Sequence, residues 1–217
     1  MGNIQNNKNV FVPSKKSNFL LFFSKLFSRF EAEVGRVMEI IINSLYSDRD
    51  VFLRELVSNA ADACDKKRFL SITSSEAVKP EIKIKTDKVN QCLIIEDSGV
   101  GMTKEEIVNN LGRIAQSGTK KFLEALGSGD DVNLIGQFGV GFYSGYLVAD
   151  KMTVQTKSMQ PNSKSFVWES QAGSSFTVAE DDSIEPFESG SGTRIILELK
   201  EVRFCFNLDH HMETKPI

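Results

Sequence analysis

The chain has 217 residues, 41% hydrophobic and 25% charged, which is the composition of an ordinary globular protein and not of a fibrous or disordered one. A chain of this length buries about 70% of its unfolded surface, so it needs no metal or disulfide to fold. The net charge of −3 argues against a general nucleic-acid binder, and three scattered cysteines without a C-x-x-C argue against a disulfide framework or a zinc site. The only histidines, His210 and His211, are adjacent near the C-terminus, which excludes a Ser-His-Asp triad, an H-E-x-x-H site or a histidine phosphoacceptor within residues 1–200.

Charge is unevenly spread. Lys8, Lys15, Lys16, Lys25 and Arg29 precede the first acid, Glu31, so the first 30 residues carry +5 and the remainder, with 21 bases against 29 acids, carries −8. The apolar stretch Phe19-Leu20-Leu21-Phe22-Phe23 is too short to span a bilayer. Residues 1–27 therefore read either as an organelle-targeting leader or as a leader whose last residues join the fold. Gly2 is not a myristoylation site, because Asn6 stands where that motif takes Ser or Thr.

From Glu31 the spacing of Val34, Val37, Met38, Ile41, Ile42 and Leu45 predicts a helix. A second, capped by Asp48 or Asp50, runs to about Lys67 and buries Phe52, Leu53, Leu56, Val57, Ala60 and Cys64. Its polar stripe is Glu55, Asn59, Asp62 and Lys66. Ile82 and Ile84, a turn at Asp87-Lys88-Val89-Asn90, and Cys92-Leu93-Ile94-Ile95 predict a hairpin. Thr103-Lys104-Glu105-Glu106 is a capping box opening a helix that ends near Gly112. A short helix over 120–126 and a mobile linker over 127–131 follow, then a glycine-rich run over 136–145. Strands are expected at 151–157, 165–170, 174–179 and 193–200. Helices first and strands later favour an α+β sandwich over a doubly wound sheet.

Three segments carry chemistry. In Glu55-x-x-x-Asn59 both side chains leave one helical face, where a carboxylate and a carboxamide suit water activation and Mg²⁺ binding; a solvated polar face is the plainer alternative. Asp97-Ser98-Gly99-Val100-Gly101-Met102 ends an apolar strand with a carboxylate suited to an exocyclic amine and glycines that admit a planar ligand, or is simply a strand-to-helix turn. Gly136-Gln137-Phe138-Gly139-Val140-Gly141-Phe142 suits a helix N-terminus that cradles phosphate, or a flexible hinge. It is neither a P-loop nor a dinucleotide fingerprint, since no G-K-[ST] follows and Ser144 replaces the third glycine.

The runs Phe52-Leu53-Arg54-Glu55-Leu56-Val57-Ser58-Asn59-Ala60, 97–102 and 135–144, together with Asn109-Asn110-Leu111-Gly112, Ser117-Gly118-Thr119 and Phe166-Val167-Trp168-Glu169-Ser170, closely resemble the N-terminal ATPase domain of the heat-shock protein 90 chaperones. The resemblance covers about residues 28–200. It implies a two-layer α/β sandwich of the Bergerat type, with a mostly antiparallel sheet and a mobile lid over about 112–136. It further implies ATP/ADP and Mg²⁺ as ligands, slow ATP hydrolysis, and unfolded clients and co-chaperones as partners. By carry-over Glu55 is the general base, Asn59 holds Mg²⁺, and Asp97 receives the adenine amine with Thr193 supporting it through water. Gly101 and Met102 line the adenine pocket, Asn110 meets the sugar–phosphate region, and Phe142 with the amides of Gly139, Val140 and Gly141 binds phosphates.

The chain departs from that family at Arg113, where a small Thr is usual at the lid entrance, at Gln116, and at Gly145-Tyr146 in place of Ala-Phe. Residues 201–217 leave the pattern. The resemblance places the γ-phosphate arginine in a middle domain and dimerisation in a C-terminal domain, so this chain is expected to be monomeric with weak turnover. Alternatives are a catalytically idle nucleotide-binding or co-chaperone-docking module, or a truncated product without a stable fold. Gln116, Gly192-Thr193-Arg194 and the basic leader point to a plastid or mitochondrion, with the cytoplasm as the alternative.

Overall fold

The structure, a computed structural model, describes residues 26–29, 50–72, 79–112, 141–171 and 175–200. The expected helix over 31–45, the lid, Arg113, Gln116, Gly139, Val140 and the tail lie outside the described residues. Seven strands form one antiparallel sheet: β1 (Leu26–Arg29), β2 (Ile82–Asp87), β3 (Cys92–Asp97), β4 (Ala149–Lys157), β5 (Ser165–Gln171), β6 (Ser175–Glu180) and β7 (Gly192–Leu199). Their spatial order is β1-β6-β5-β4-β7-β3-β2. Helix α1 (Val51–Leu70), helix α2 (Lys104–Leu111) and a 3-10 helix (Gly141–Leu147) complete the described elements, giving the expected α+β architecture.

Local chemistry accounts for most boundaries. The β2–β3 turn is tied by the Asp87 carboxylate, whose Oδ1 accepts the amides of Val89 and Asn90, each at 3.0 Å. At the start of α2 the Thr103 hydroxyl accepts the Glu106 amide at 3.3 Å while the Glu106 carboxylate accepts the Thr103 amide at 2.8 Å, closing the capping box. Asp50 occupies the N-cap of α1 but makes no side-chain capping bond, and the helix runs three residues beyond Lys67. Strand β1 begins at Leu26, two residues inside the segment read as a leader, and pairs with β6.

Alternation along the central strands sorts the two faces. Leu93, Ile95 and Asp97 share one face of β3, as do Met152, Val154 and Thr156 on β4. The core beneath α1 holds Phe52, Leu56, Ile95, Tyr143, Tyr146, Met152, Val154, Trp168 and Leu197. Gly145 packs closely here, since a Cβ on it would come within 2.8 Å of the Met152 sulfur and move the end of that flexible side chain. The Tyr146 hydroxyl donates to the Ser170 carbonyl at 3.3 Å, a bond that the more usual phenylalanine lacks. Among the described residues no helix is long and apolar enough to cross a membrane.

Leu56 is fully buried between α1 and the sheet. Replacing it with Ala should cost about 2–5 kcal/mol of unfolding free energy, measured by urea denaturation. A loss below about 1 kcal/mol would mean that α1 does not close the core.

Candidate functional site

Glu55, Asn59 and Ala63 succeed one another at four-residue steps along one broad face of α1, spanning about 12 Å. Glu55 is 8% exposed, so it is not part of a solvated stripe, whereas Asn59, Asp62 and Lys66 are exposed. The Glu55 carboxylate lies 3.6 Å from the Arg54 guanidinium and closes against Gly141, where an added Cβ would stand 2.5 Å from Oε2. The glycine run thus abuts this acid directly. Its continuation is a helix, as the sequence suggested, of the 3-10 form and seven residues long. The short i-to-i+3 turns suit a segment dense in Gly and aromatic residues, and the Ser144 hydroxyl caps it internally by donating to the Gly141 carbonyl at 2.5 Å. Phe142 is half-buried edge-on to Trp168, ring centres 5.5 Å apart.

At the other end of the α1 face the 97–102 loop docks by its backbone. Val100 donates to the Ala63 carbonyl at 3.2 Å, and a Cβ on Gly99 would meet Ala63 Cβ at 2.6 Å. Gly101 has φ +62 and would place a side chain into the Lys157 carbonyl. Asp97, 6% exposed, accepts the Gly99 amide at 2.8 Å and the Thr193 amide. Burial pushes its carboxyl up to about 6; the two amides pull it down, Glu96 pushes further and Lys67 pulls back.

Thr156 is a hub to which nothing in the sequence pattern points. Its hydroxyl donates to the Gly192 carbonyl at 2.8 Å and accepts the Met102 amide at 3.0 Å. With its one proton so used, the 3.2 Å contact to Thr193 Oγ1 makes Thr193 the donor and leaves that oxygen free to accept from a ligand or water. Met102 in turn lies 4.0 Å, sulfur to Nδ2, from exposed Asn110 at the end of α2. Glu55, Asn59, Asp97, Gly101, Met102, Asn110, Gly141, Phe142 and Thr193 are thereby placed; Gly139 and Val140 lie outside the described residues. Lys67 and Arg194, both buried, were likewise unmarked in the sequence, where cations on a helix or strand read as surface.

This frame is helices against an antiparallel sheet with a buried carboxylate at a glycine loop, the α+β class expected from the sequence. The family model for histidine kinase-, DNA gyrase B- and HSP90-like ATPases matches residues 35–190, and the chain belongs to that family. An endoplasmin homolog of Hordeum vulgare is 56% identical over 178 residues, 79% of this chain and 22% of the relative. The mitochondrial heat shock protein 90-6 of Arabidopsis thaliana is 52% identical over 181 residues, 79% of this chain and 22% of the relative. The chaperone protein HtpG of Rickettsia typhi is 47% identical over 189 residues, 84% of this chain and 29% of the relative. The chain thus spans under a third of the length of these relatives.

The raised Asp97 value has a sign that can be checked. Between about pH 4, the unfolded value, and about pH 6 the folded chain binds the extra proton, so this group's stabilising contribution is present in acid and is lost as pH rises through about 6. The stability of the native chain relative to Asp97→Asn should therefore decline over that window in chemical denaturation. A pH-independent difference would show that Asp97 titrates normally.

Proposed function

We propose that the chain binds ATP and ADP, with the base at the Asp97 end of the α1 face and the γ-phosphate at the Glu55 end, and that it hydrolyses ATP. The observation that carries this is the polarity of that face: an acceptor and a planar glycine slot at one end, a buried acid against a glycine at the other, about 12 Å apart along α1. Asp97 receives the exocyclic amine of adenine, Thr193 accepts a hydrogen bond beside it, and Gly101 and Met102 form the slot. Asn110 borders the sugar. Gly139, Val140 and Gly141 supply amides to the phosphates, with Phe142 closing that end.

Hydrolysis needs a water oriented at the γ-phosphorus and relieved of a proton. The Glu55 carboxylate, held in place by Gly141 and Arg54, is the base for that step. Phosphoryl transfer depends chiefly on positioning and charge stabilisation, so a fixed acid matters more than a strong one. Mg²⁺ fits this donor set: the exposed Asn59 carboxamide offers one oxygen, which suits a cation held mainly by phosphates and water. When bound, the ion neutralises phosphate charge. The named relatives, endoplasmin homologs and HtpG among them, support a chaperone context, with unfolded clients and co-chaperones as partners.

Titration calorimetry should detect ADP and Mg–ATP binding. Glu55→Ala should keep most of the affinity and lose roughly 10²–10⁴-fold in turnover. Asp97→Asn should abolish binding; unchanged affinity there would move the base elsewhere, and absence of binding by the native chain would sink the reading. An organellar location draws support from the basic leader and the mitochondrial relative. Residues 1–30 fused to a fluorescent protein should enter a mitochondrion or plastid, and diffuse cytoplasmic signal would refute it.

A further inference from the structure

Lys67, on the last turns of α1, is 6% exposed. Among the described residues its ammonium has one hydrogen-bond acceptor, the Ser189 carbonyl at 3.1 Å. A buried lysine with one neutral acceptor is costly unless a carboxylate compensates it. Desolvation accordingly lowers its own pKa. Lys67 and Asp97 line the same cavity, about 420 Å³ in volume. Lys79 lines it too, at an exposed position, and the other charges there are engaged in ion pairs. Lys83 is held by Glu81 at 3.3 Å and Glu188 at 2.9 Å, and Glu96 is bound by Arg194 at 2.5 Å. Among the described residues Asp97 is the lining carboxylate without an ion pair, and the charge of Lys67 reaches it through space.

A second route joins the same two residues. The Ser189 hydroxyl donates to the Ser191 carbonyl at 2.6 Å, the Ser191 hydroxyl donates to the Gly99 carbonyl at 2.9 Å, and the Gly99 amide donates to Asp97 at 2.8 Å. Lys67, residues 189–191, Gly99 and Asp97 therefore form a chain that reaches from α1 through a surface loop to the end of β3.

We propose that Lys67 is a positioning residue for Asp97, its buried ammonium fixing the charge and the place of the acceptor that meets the nucleobase. The role rests on the nucleotide reading given above. The charged or titratable groups around Asp97 are Lys67 and Cys64 from α1, Glu96 from β3, Lys79 before β2, Glu81 and Lys83 at the start of β2, and Glu188 from the loop before β7. Glu96 is neutralised by Arg194, Lys83 with Glu81 and Glu188 carries a net −1, and the Cys64 thiol lies against Ser98 Oγ at 3.8 Å. Lys67, buried where Lys79 is exposed, is the cation whose charge holds the Asp97 carboxyl down.

The test follows the Asp97 carboxyl by carbon NMR across pH in the full chain, beside ADP binding by calorimetry at the same pH values. Lys67→Met, and Lys67→Gln should the first not fold, should raise the Asp97 midpoint, weaken ADP roughly threefold near about pH 6.5 and recover most of it above about pH 8. Lys67→Arg should restore the native midpoint. A purely structural lysine would lower affinity equally at every pH and leave the midpoint in place, which would overturn the role. No ADP binding by the native chain at any pH overturns the nucleotide reading itself and the role with it; an unmoved midpoint in a chain that binds ADP overturns the role alone.

Discussion

A side chain at Gly99 would stand 2.6 Å from the Ala63 Cβ, and the rest of the site depends on that absence. The 97–102 loop must pass between α1 and the sheet, and only bare backbone fits there. Once it does, Val100 bonds the Ala63 carbonyl and Met159 bonds the Val100 carbonyl at 2.8 Å, so helix and sheet are sewn together by the loop that carries the proposed base contact. Gly101 extends the constraint, since its φ of +62 and its place beneath the Lys157 carbonyl rule out a side chain on two grounds. The site is therefore a property of the layer interface, not of a loop laid on top of it.

Period-two alternation then assigns neighbouring acids to different work. Asp97 shares its face with Leu93 and Ile95 and points toward the helices, while Glu96 points outward to Arg194. Register places Asp97 opposite Thr193 and Glu96 opposite Arg194, so the pair of strands carries two polar pairs back to back. The outward pair is neutralised, and Arg194 is further bound by Gln155 Oε1 at 2.8 Å and stacked over Phe187 at 5.1 Å. The inward carboxylate is held mostly by backbone amides. That leaves Asp97 sensitive to its surroundings and Glu96 insensitive to them.

Much of this was legible in the residues because its causes are local. The β2–β3 hairpin follows from alternation and an Asp-centred turn, α2 from its capping box, and the later strands from apolar alternation between polar turns. Asp97, Gly101 and Glu55 drew attention through motif and spacing. Thr156, Lys67 and Arg194 did not, because each acts through burial that is decided by chain brought from elsewhere: β7 beside Thr156, residues 189–191 over Lys67, residues 185–187 over Arg194. β1 was obscured by its four-residue length within a basic segment. The 3-10 form of 141–147 was hidden because glycine spacing marks a tight turn without specifying its pitch.

The two ends of the α1 face are built to different standards, and this bears on how binding and turnover divide. The base end is fixed by α1, β3, β4, β7 and residues 189–191, all meeting at Asp97, Thr156 and Thr193 through buried hydrogen bonds. If Asp97 meets the nucleobase as proposed, a base lacking the donor leaves a buried acceptor unpaired, which favours discrimination. The proposed phosphate end instead presents one buried acid against a close glycine, where the acid is placed to act on a water and not to bind phosphate. At about 12 Å apart the two ends lie beyond the range at which side-chain effects ordinarily couple directly. On the proposed reading, selection of the nucleotide and attack on its terminal phosphate are separable functions of one helix, joined through the ligand and the rod of α1 between Glu55 and Ala63.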